Sequence, residues 1–383
     1  MTPGVSIIIC TYNGAKLLPE TLRHLAQMCV RPDVLWEIII VDNASTDHTA
    51  KVVEEEWQQY NCKVKFSLLH QPKSGLTYAR ELGYAHAQFN YILLCDDDNW
   101  LNPGYVNLAF DLMEQHPSIG ALGGQGELVY EEEPPYFATQ LRLFANGHQA
   151  PASGKVAQNT VYGAGCVLRK SAYDQLYEIG FKPLLTDRVA SALSSGGDYE
   201  MCYALAMIGY DIWYDERLTF KHFMVKERQS WDYYLRYLRE STACFEVLDA
   251  YNIFVTQGSR SELSFNFRSL RSILYYTKQY LLLSLKRISL DPASDEGKVN
   301  FLNQVAVRTR LMGYRKYLTI RKNFLHLKQF ASERSNLSAA VYGKKLSQHP
   351  EDQKPENSGN YHKIEKMTVS TFLRKHYRKA EAV

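Results

Sequence analysis

Short apolar runs alternate with amphipathic helical stretches through the first hundred residues, and few folds accept that rhythm. Residues 5–10 form the first β-branched run, and Asn13-Gly14 reads as a turn after it. A helical pattern then runs from Ala15 to about Met28. Residues 36–41 are a second run, broken at 43–45 and followed by a helical pattern over 47–60. Residues 64–70 are a third strand candidate, 75–88 a third helix and 91–95 a fourth strand. This order predicts an α/β fold with a parallel sheet carrying helices on both faces. Ligands in such sheets sit beyond the carboxyl ends of the strands. The polar clusters fall there: Thr11, Tyr12 and Asn13; residues 42–46; and Asp96, Asp97 and Asp98.

The rest of the chain is less regular. Residues 131–135 are a charged, Pro-rich loop, and 159–168 read as a strand with two glycines. Gly196-Gly197 breaks the chain before a helix over 198–208. Residues 212–215 and 218–222 read as two short strands, and the pattern is mainly helical from Trp231 onward. Residues 347–362, polar with two prolines, read as a flexible linker.

The 383 residues are 45% hydrophobic and 22% charged, which excludes bulk disorder, collagen and small disulfide scaffolds. No apolar stretch approaches the ~20 residues of a membrane span. The N-terminus has no basic n-region, so no signal peptide is expected. Seven cysteines with no CxxC spacing suggest reduced thiols and a cytoplasmic setting. The net charge of +3 conceals an asymmetry: residues 1–257 hold 20 basic and 31 acidic side chains, residues 258–383 hold 24 and 10. An acidic body suits cations, and a basic tail suits phosphates, an anionic membrane face or an acidic partner.

Asp96, Asp97 and Asp98 are the sharpest chemical signal. Carboxylates two residues apart at a strand end share a side. Adjacent carboxylates repel unless a cation or solvent screens them, and oxygen-only ligands favour Mg²⁺ or Mn²⁺. Such an ion would hold a diphosphate. Asp42 closes the second run, where an acceptor receives a base N–H or a ribose hydroxyl; Ser45 or Asp47 would cap the helix that follows. Lys73 and Gly75 open the third helix, with Arg80 in its second turn, a composition suited to phosphate.

Together these segments resemble a known family. Residues 6–14 (SIIICTYNG), 38–49 (IIIVDNASTDHT), 75–80 (GLTYAR) and 92–98 (ILLCDDD) look like family 2 glycosyltransferases with the GT-A fold. The resemblance covers about residues 4–225. It implies a mostly parallel, Rossmann-like sheet with a C-terminal helical extension. It also implies an inverting transfer from a nucleotide-diphosphate sugar, most often of uridine, with a divalent metal. Carried over, Thr11, Tyr12, Asn13, Asp42, Lys73, Gly75, Arg80, Asp96 and Asp97 would face the nucleotide. Asp96 and Asp98 would hold the metal, and His222 would complete its shell. Gly163, Ala164 and Gly165 would line the sugar pocket. Asp198 would be the general base, within Gly197-Asp198-Tyr199-Glu200; Gly197 and Glu200 would border the acceptor. Helix capping is the competing role for Asp198. Arg228 and Trp231 loosely fit a motif in which Arg holds the diphosphate and Trp stacks on a sugar.

The implied organisation is a catalytic domain over 1–228, with a nucleotide-binding half to about 100 and an acceptor and sugar half over 101–228. A basic helical extension over 229–345 and a tail over 346–383 follow. Within 260–290, Arg260, Arg268, Arg271, Lys278, Lys286 and Arg287 stand among leucines and tyrosines. This stretch suits either a helix on the inner face of an anionic membrane or one packed on the catalytic domain. A glycan or lipid-linked acceptor would match the first reading. No nucleic-acid-binding module is seen. Two other functions remain open: a sugar-nucleotide nucleotidyltransferase, which the sequence 11–16 (TYNGAK) argues against, and a non-catalytic glycan- or membrane-binding protein.

Overall fold

The computed structural model describes residues 2–141, 143–185, 195–240 and 244–346, with side chains to Ser332. The linker and tail expected beyond residue 346 lie outside the described residues. The first half follows the expected alternation: β1 (Thr2–Thr11), α1 (Leu18–Ala26), β2 (Trp36–Asp42), α2 (Thr49–Gln59), β3 (Lys65–His70), α3 (Leu76–His86) and β4 (Phe89–Asp96). Next come β5 (Asn99–Leu101), α4 (Tyr105–Gln115), β6 (Ile119–Tyr130), α5 (Tyr136–Gln140), β7 (Gly154–Lys155), β8 (Val167–Arg169), α6 (Lys170–Glu178), α7 (Gly197–Met207) and β9 (Asp211–Met224). The extension holds α8 (Trp231–Glu240), α9 (Phe245–Tyr251), α10 (Glu262–Ser289), α11 (Asp295–Gly313) and α12 (Tyr317–Leu346).

One sheet runs in the order β3-β2-β1-β4-β8-β6-β9-β5, with β7 paired to β9. β3, β2, β1 and β4 are parallel to one another. β8 then reverses direction, antiparallel to both β4 and β6. The unbroken apolar runs have a direct cause, because both faces of the central strands are covered. Ile7, Ile9, Ile38, Ile40 and Leu93 pack into one core with α1 and α4. Their neighbours Ile8, Ile39, Val41, Ile92 and Leu94 pack into another with α3, α6 and α7. Each such side chain contributes about 1.5–3 kcal/mol on full burial.

Three expectations change. Residues 159–166 are not strand; only Val167–Arg169 pairs. The turn ahead of it is tied to β4 instead: the Leu94 N–H donates to the Cys166 carbonyl at 2.8 Å, and the Gly165 N–H to the Leu94 carbonyl at 2.9 Å. The two short strands expected over 212–222 are one 14-residue strand, β9. The 12-residue β6 escaped notice because its four glycines interrupt the apolar signal.

Candidate active site

The carboxyl ends of β1, β2 and β4 lie side by side. Thr11 stands opposite Asp42, and Cys10 opposite Asp96, in the strand registers. The β4 strand stops at Asp96, so Asp97 and Asp98 form a turn before β5. Strand alternation therefore does not orient Asp98 as expected; specific bonds orient each carboxylate instead.

Asp97 turns towards β1, where its Oδ2 accepts a 2.6 Å bond from Thr11 Oγ1. Its carbonyl accepts from Thr21 Oγ1 at 2.7 Å. Gly14 makes room for this contact: a Cβ there would lie 2.1 Å from Thr11 Oγ1 and 2.8 Å from Asp97 Oδ2. Burial pushes the Asp97 carboxyl up, and the charge on Asp98 adds to it, to about 7.

Asp98 is buried and faces the other way. Its Oδ2 accepts from Arg228 Nη1 at 2.7 Å and lies 3.6 Å from His222 Nε2. Its Oδ1 accepts from Asn99 Nδ2 at 3.0 Å. The antiparallel pairing of β5 with β9 sets Asn99 opposite His222 and so brings these groups together. Burial alone would raise the Asp98 carboxyl, but His222 and Arg228 hold it well below the usual carboxylate range. Burial works against a charge on His222, yet Asp98 raises it above the ordinary histidine value.

A divalent ion is the group this chemistry implies. Among the described residues no cluster of three or more His, Cys, Asp or Glu side chains could hold a metal. Mg²⁺ characteristically takes one or two carboxylates plus substrate phosphates rather than a full protein cage. The Asp98–His222 pair, with half-buried Asp96 two residues away, fits that smaller protein share. Arg228 already neutralises the same Asp98 oxygen, so an ion there would compete with the guanidinium.

The loops after β1 and β2 are knitted together. The Asn13 N–H donates to Ser45 Oγ at 2.9 Å, and Asn13 Oδ1 accepts from the Thr46 N–H at 2.8 Å. Ser45 is thus no helix cap; Asp47 Oδ1 accepts from the first α2 residue, Thr49, at 3.0 Å. Asp42 is buried, accepts from the Ser45 N–H at 3.1 Å, and lies 3.6 Å from His70 Nδ1. Tyr12 is 49% exposed.

Asn43 was missed as a site residue. Its Nδ2 donates to the carbonyls of Gln71 and Lys73, and its Oδ1 accepts the Gly75 N–H at 2.8 Å. The Gly75 amide expected to greet a phosphate is therefore already committed. Lys73 lies over the Tyr78 ring, 3.7 Å from its centroid. The Asn43 partners are 28 to 32 residues away in sequence, so no local pattern announces them.

Asp198 lies on the β4 side of the same edge. Its Oδ2 accepts the Gly163 N–H at 2.7 Å and its Oδ1 the Tyr199 N–H at 2.9 Å. The helix cap is Gly196, with no side-chain bond, so Asp198 does not play the capping role. A Cβ on Gly163 would lie 3.1 Å from Asp198 Cβ and 3.5 Å from Arg80 Nη2. Asp198, Gly163, Gly197 and Arg80 line one cleft with Tyr84 and Cys166. Ala164 is buried in the core, and the Gly165 carbonyl accepts from Tyr105 Oη at 2.6 Å.

Two expected pocket residues lie elsewhere. Glu200 is buried and accepts the N–H groups of Leu184 and Leu185 at 2.8 Å each and Tyr251 Oη at 3.1 Å. It pins a loop and α9 to α7. Trp231 packs edge-on to Phe137 and stacks on Phe301, between α5 and α11.

Residues 6–176 match the family model described as Glycosyl transferase family 2. Over 113 residues the chain is 31% identical to the poly(ribitol-phosphate) beta-N-acetylglucosaminyltransferase TarS of Staphylococcus aureus (strain Mu50), covering 30% of this chain and 19% of TarS. It is 28% identical over 177 residues to the putative glycosyltransferase EpsE of Bacillus subtilis (strain 168), covering 45% of this chain and 59% of EpsE. The chain thus spans less than two thirds of either relative's length. Among solved structures, the mannosyltransferase PcManGT of Pyrobaculum calidifontis, in complex with GDP-Man and Mn²⁺, matches with a TM-score of 0.51 at 15% identity, covering 81% of this chain and 88% of that one. That likeness shows a shared fold. A mixed sheet flanked by helices, with a helical C-terminal region, is the GT-A architecture, and residues 6–176 carry the likeness to glycosyltransferase family 2.

Proposed function

We propose that this chain is an inverting glycosyltransferase that moves a sugar from a nucleoside-diphosphate donor, a uridine one in the first instance, to a hydroxyl of a glycan or lipid-linked acceptor. The observation that carries the reading is the convergence of Asp42, the Thr11–Asp97 pair, the Asp98–His222–Arg228 group and Asp198 around the ends of β1, β2 and β4. Thr11, Tyr12, Asn13 and Asp42 border the nucleoside, with buried Asp42 as acceptor for a base N–H or ribose hydroxyl. Asp96 and Asp97 meet the ribose and diphosphate side. Lys73 and Arg80 add positive charge along that edge, and Gly75 shapes it.

Asp98 and His222, with Asp96 beside them, would hold one Mg²⁺ or Mn²⁺. When bound, that ion neutralises charge on the departing diphosphate. Arg228 serves the same end with its guanidinium. Gly163 and Gly197 let the donor sugar approach the backbone. Asp198, oriented by two backbone N–H groups, takes the proton of the acceptor hydroxyl as its oxygen attacks the anomeric carbon. The carbon–oxygen bond to the diphosphate breaks on the opposite face, so the configuration inverts.

The test is a panel of nucleotide sugars, with and without Mn²⁺, scored for donor hydrolysis and thermal stabilisation. A stabilisation by UDP or a UDP-sugar that requires the cation is expected. A chain that neither shifts its Tm nor hydrolyses any donor would be a non-catalytic member of the fold.

A further inference from the structure

The long helix α10 turns one face into the protein and leaves the opposite face bare. Phe265, Ser269 and Tyr276 are buried. Phe265 stacks on Phe324 at 4.5 Å between ring centroids, and Tyr276 Oη accepts from Arg310. At about 100° per residue, these three lie on one side. Leu263, Phe267, Leu270, Leu274, Leu281, Leu285 and Ile288 fall on the other, within an arc of about 60° by the same geometry. All seven are exposed: Leu263 and Ile288 by 83%, Phe267 by 68% and Leu274 by 62%. The stripe runs for about 38 Å at ~1.5 Å per residue. Monomer surfaces rarely carry contiguous apolar patches on this scale without a partner.

The charges around the stripe choose the partner. Exposed Arg271 and Lys278 line one edge of it, uncharged Asn266, Thr277 and Ser284 lie along the other, and Lys286 and Arg287 follow near its C-terminal end. Between Leu263 and Ser289 there is no Asp or Glu. A second copy docking stripe to stripe would set cations against cations, whereas paired helices carry complementary charges beside the seam. No helix among the described residues is long and apolar enough to cross a membrane. An apolar strip edged by cations on one side and by no carboxylate on either suits a surface with an oily interior and anionic headgroups.

We propose that α10 is an interfacial membrane helix: its stripe enters the headgroup boundary of an anionic bilayer while Arg271, Lys278 and Lys286 meet lipid phosphates and carboxylates. Catalysis would then take place at the surface where a lipid-linked acceptor resides. The proposal needs no transfer activity, so it can fail or stand separately from the assignment of function.

The experiment uses the full chain with vesicles of phosphatidylcholine alone or mixed with phosphatidylserine, read by co-sedimentation at low and high salt. Binding to the phosphatidylserine vesicles that weakens with salt is expected. Arg271→Ala with Lys278→Ala should lower it at least ~10-fold. Phe267→Glu, Leu274→Glu and Leu281→Glu together should abolish it, while the melting temperature stays close to that of the parent, because all three side chains are exposed. No binding by the parent chain overturns the proposal, as does binding that survives the triple substitution. A concentration-dependent dimer lost in the triple variant, without vesicle binding, also overturns it and assigns the stripe to a second copy.

Discussion

Replacing Asp198 by Asn separates two tasks that its carboxylate would perform. The two oxygens accept the Gly163 N–H at 2.7 Å and the Tyr199 N–H at 2.9 Å. An amide offers one oxygen, so one of those N–H groups would face an NH₂ group instead. Leaving a buried donor unsatisfied costs about 1–3 kcal/mol. In a domain of 150–250 residues each 1 kcal/mol moves Tm by about 2–4 °C, so a fall of roughly 2–12 °C is expected. The loss of a general base is a separate quantity, ~10²–10⁴ in turnover. Donor affinity should change little, because in the proposed role the carboxylate acts on the acceptor. Calorimetry with the donor, thermal melting and steady-state release of nucleoside diphosphate on one preparation would separate these. The expected result is an unchanged Kd, a lower Tm and turnover reduced at least ~100-fold. Turnover within ~10-fold of the parent, together with the expected fall in Tm, would leave Asp198 as a clamp on the 163 turn and refute its catalytic role.

Gly14→Ala should push Thr11 off Asp97, since the new Cβ would sit 2.1 Å from Thr11 Oγ1; nucleotide affinity measured by calorimetry should fall ~10-fold or more, the worth of a hydrogen bond to a charged group. Asp98→Ala should remove the cation-dependent part of the nucleotide-induced Tm shift, which chelation by EDTA should also remove from the parent; a shift of unchanged size would reject the metal role of Asp98. Arg310 is buried against Asp249 at 2.8 Å and lies 3.5 Å over the Phe245 ring. Arg310→Met should cost about 3–5 kcal/mol in urea unfolding by stranding a buried carboxylate, and adding Asp249→Leu should recover most of that loss.

The alternation of apolar runs and helices announced a parallel sheet near the N-terminus from local signals alone, and the order of its strands came from the tertiary structure. Every residue of Val5, Ile7, Ile8 and Ile9 is apolar because both faces of β1 are covered, and that burial is written in consecutive letters. Thr11, Asp42 and Asp96 stand out in the sequence for the same reason: each closes a buried strand. The rest was decided by contacts across long separations. Gly163 is 35 residues from Asp198, and Arg228 is 130 residues from Asp98. No local pattern encodes those pairs. Nor does sequence spacing tell that Glu200 turns inward to hold Leu184, Leu185 and Tyr251 while Asp198, two positions earlier, turns to the cleft. On α10 the sequence supplied leucines and arginines in helical rhythm, consistent with a packed helix or a surface one. Only tertiary packing, by spending the face of Phe265 and Tyr276 on the core, determined which apolar stripe is left in water.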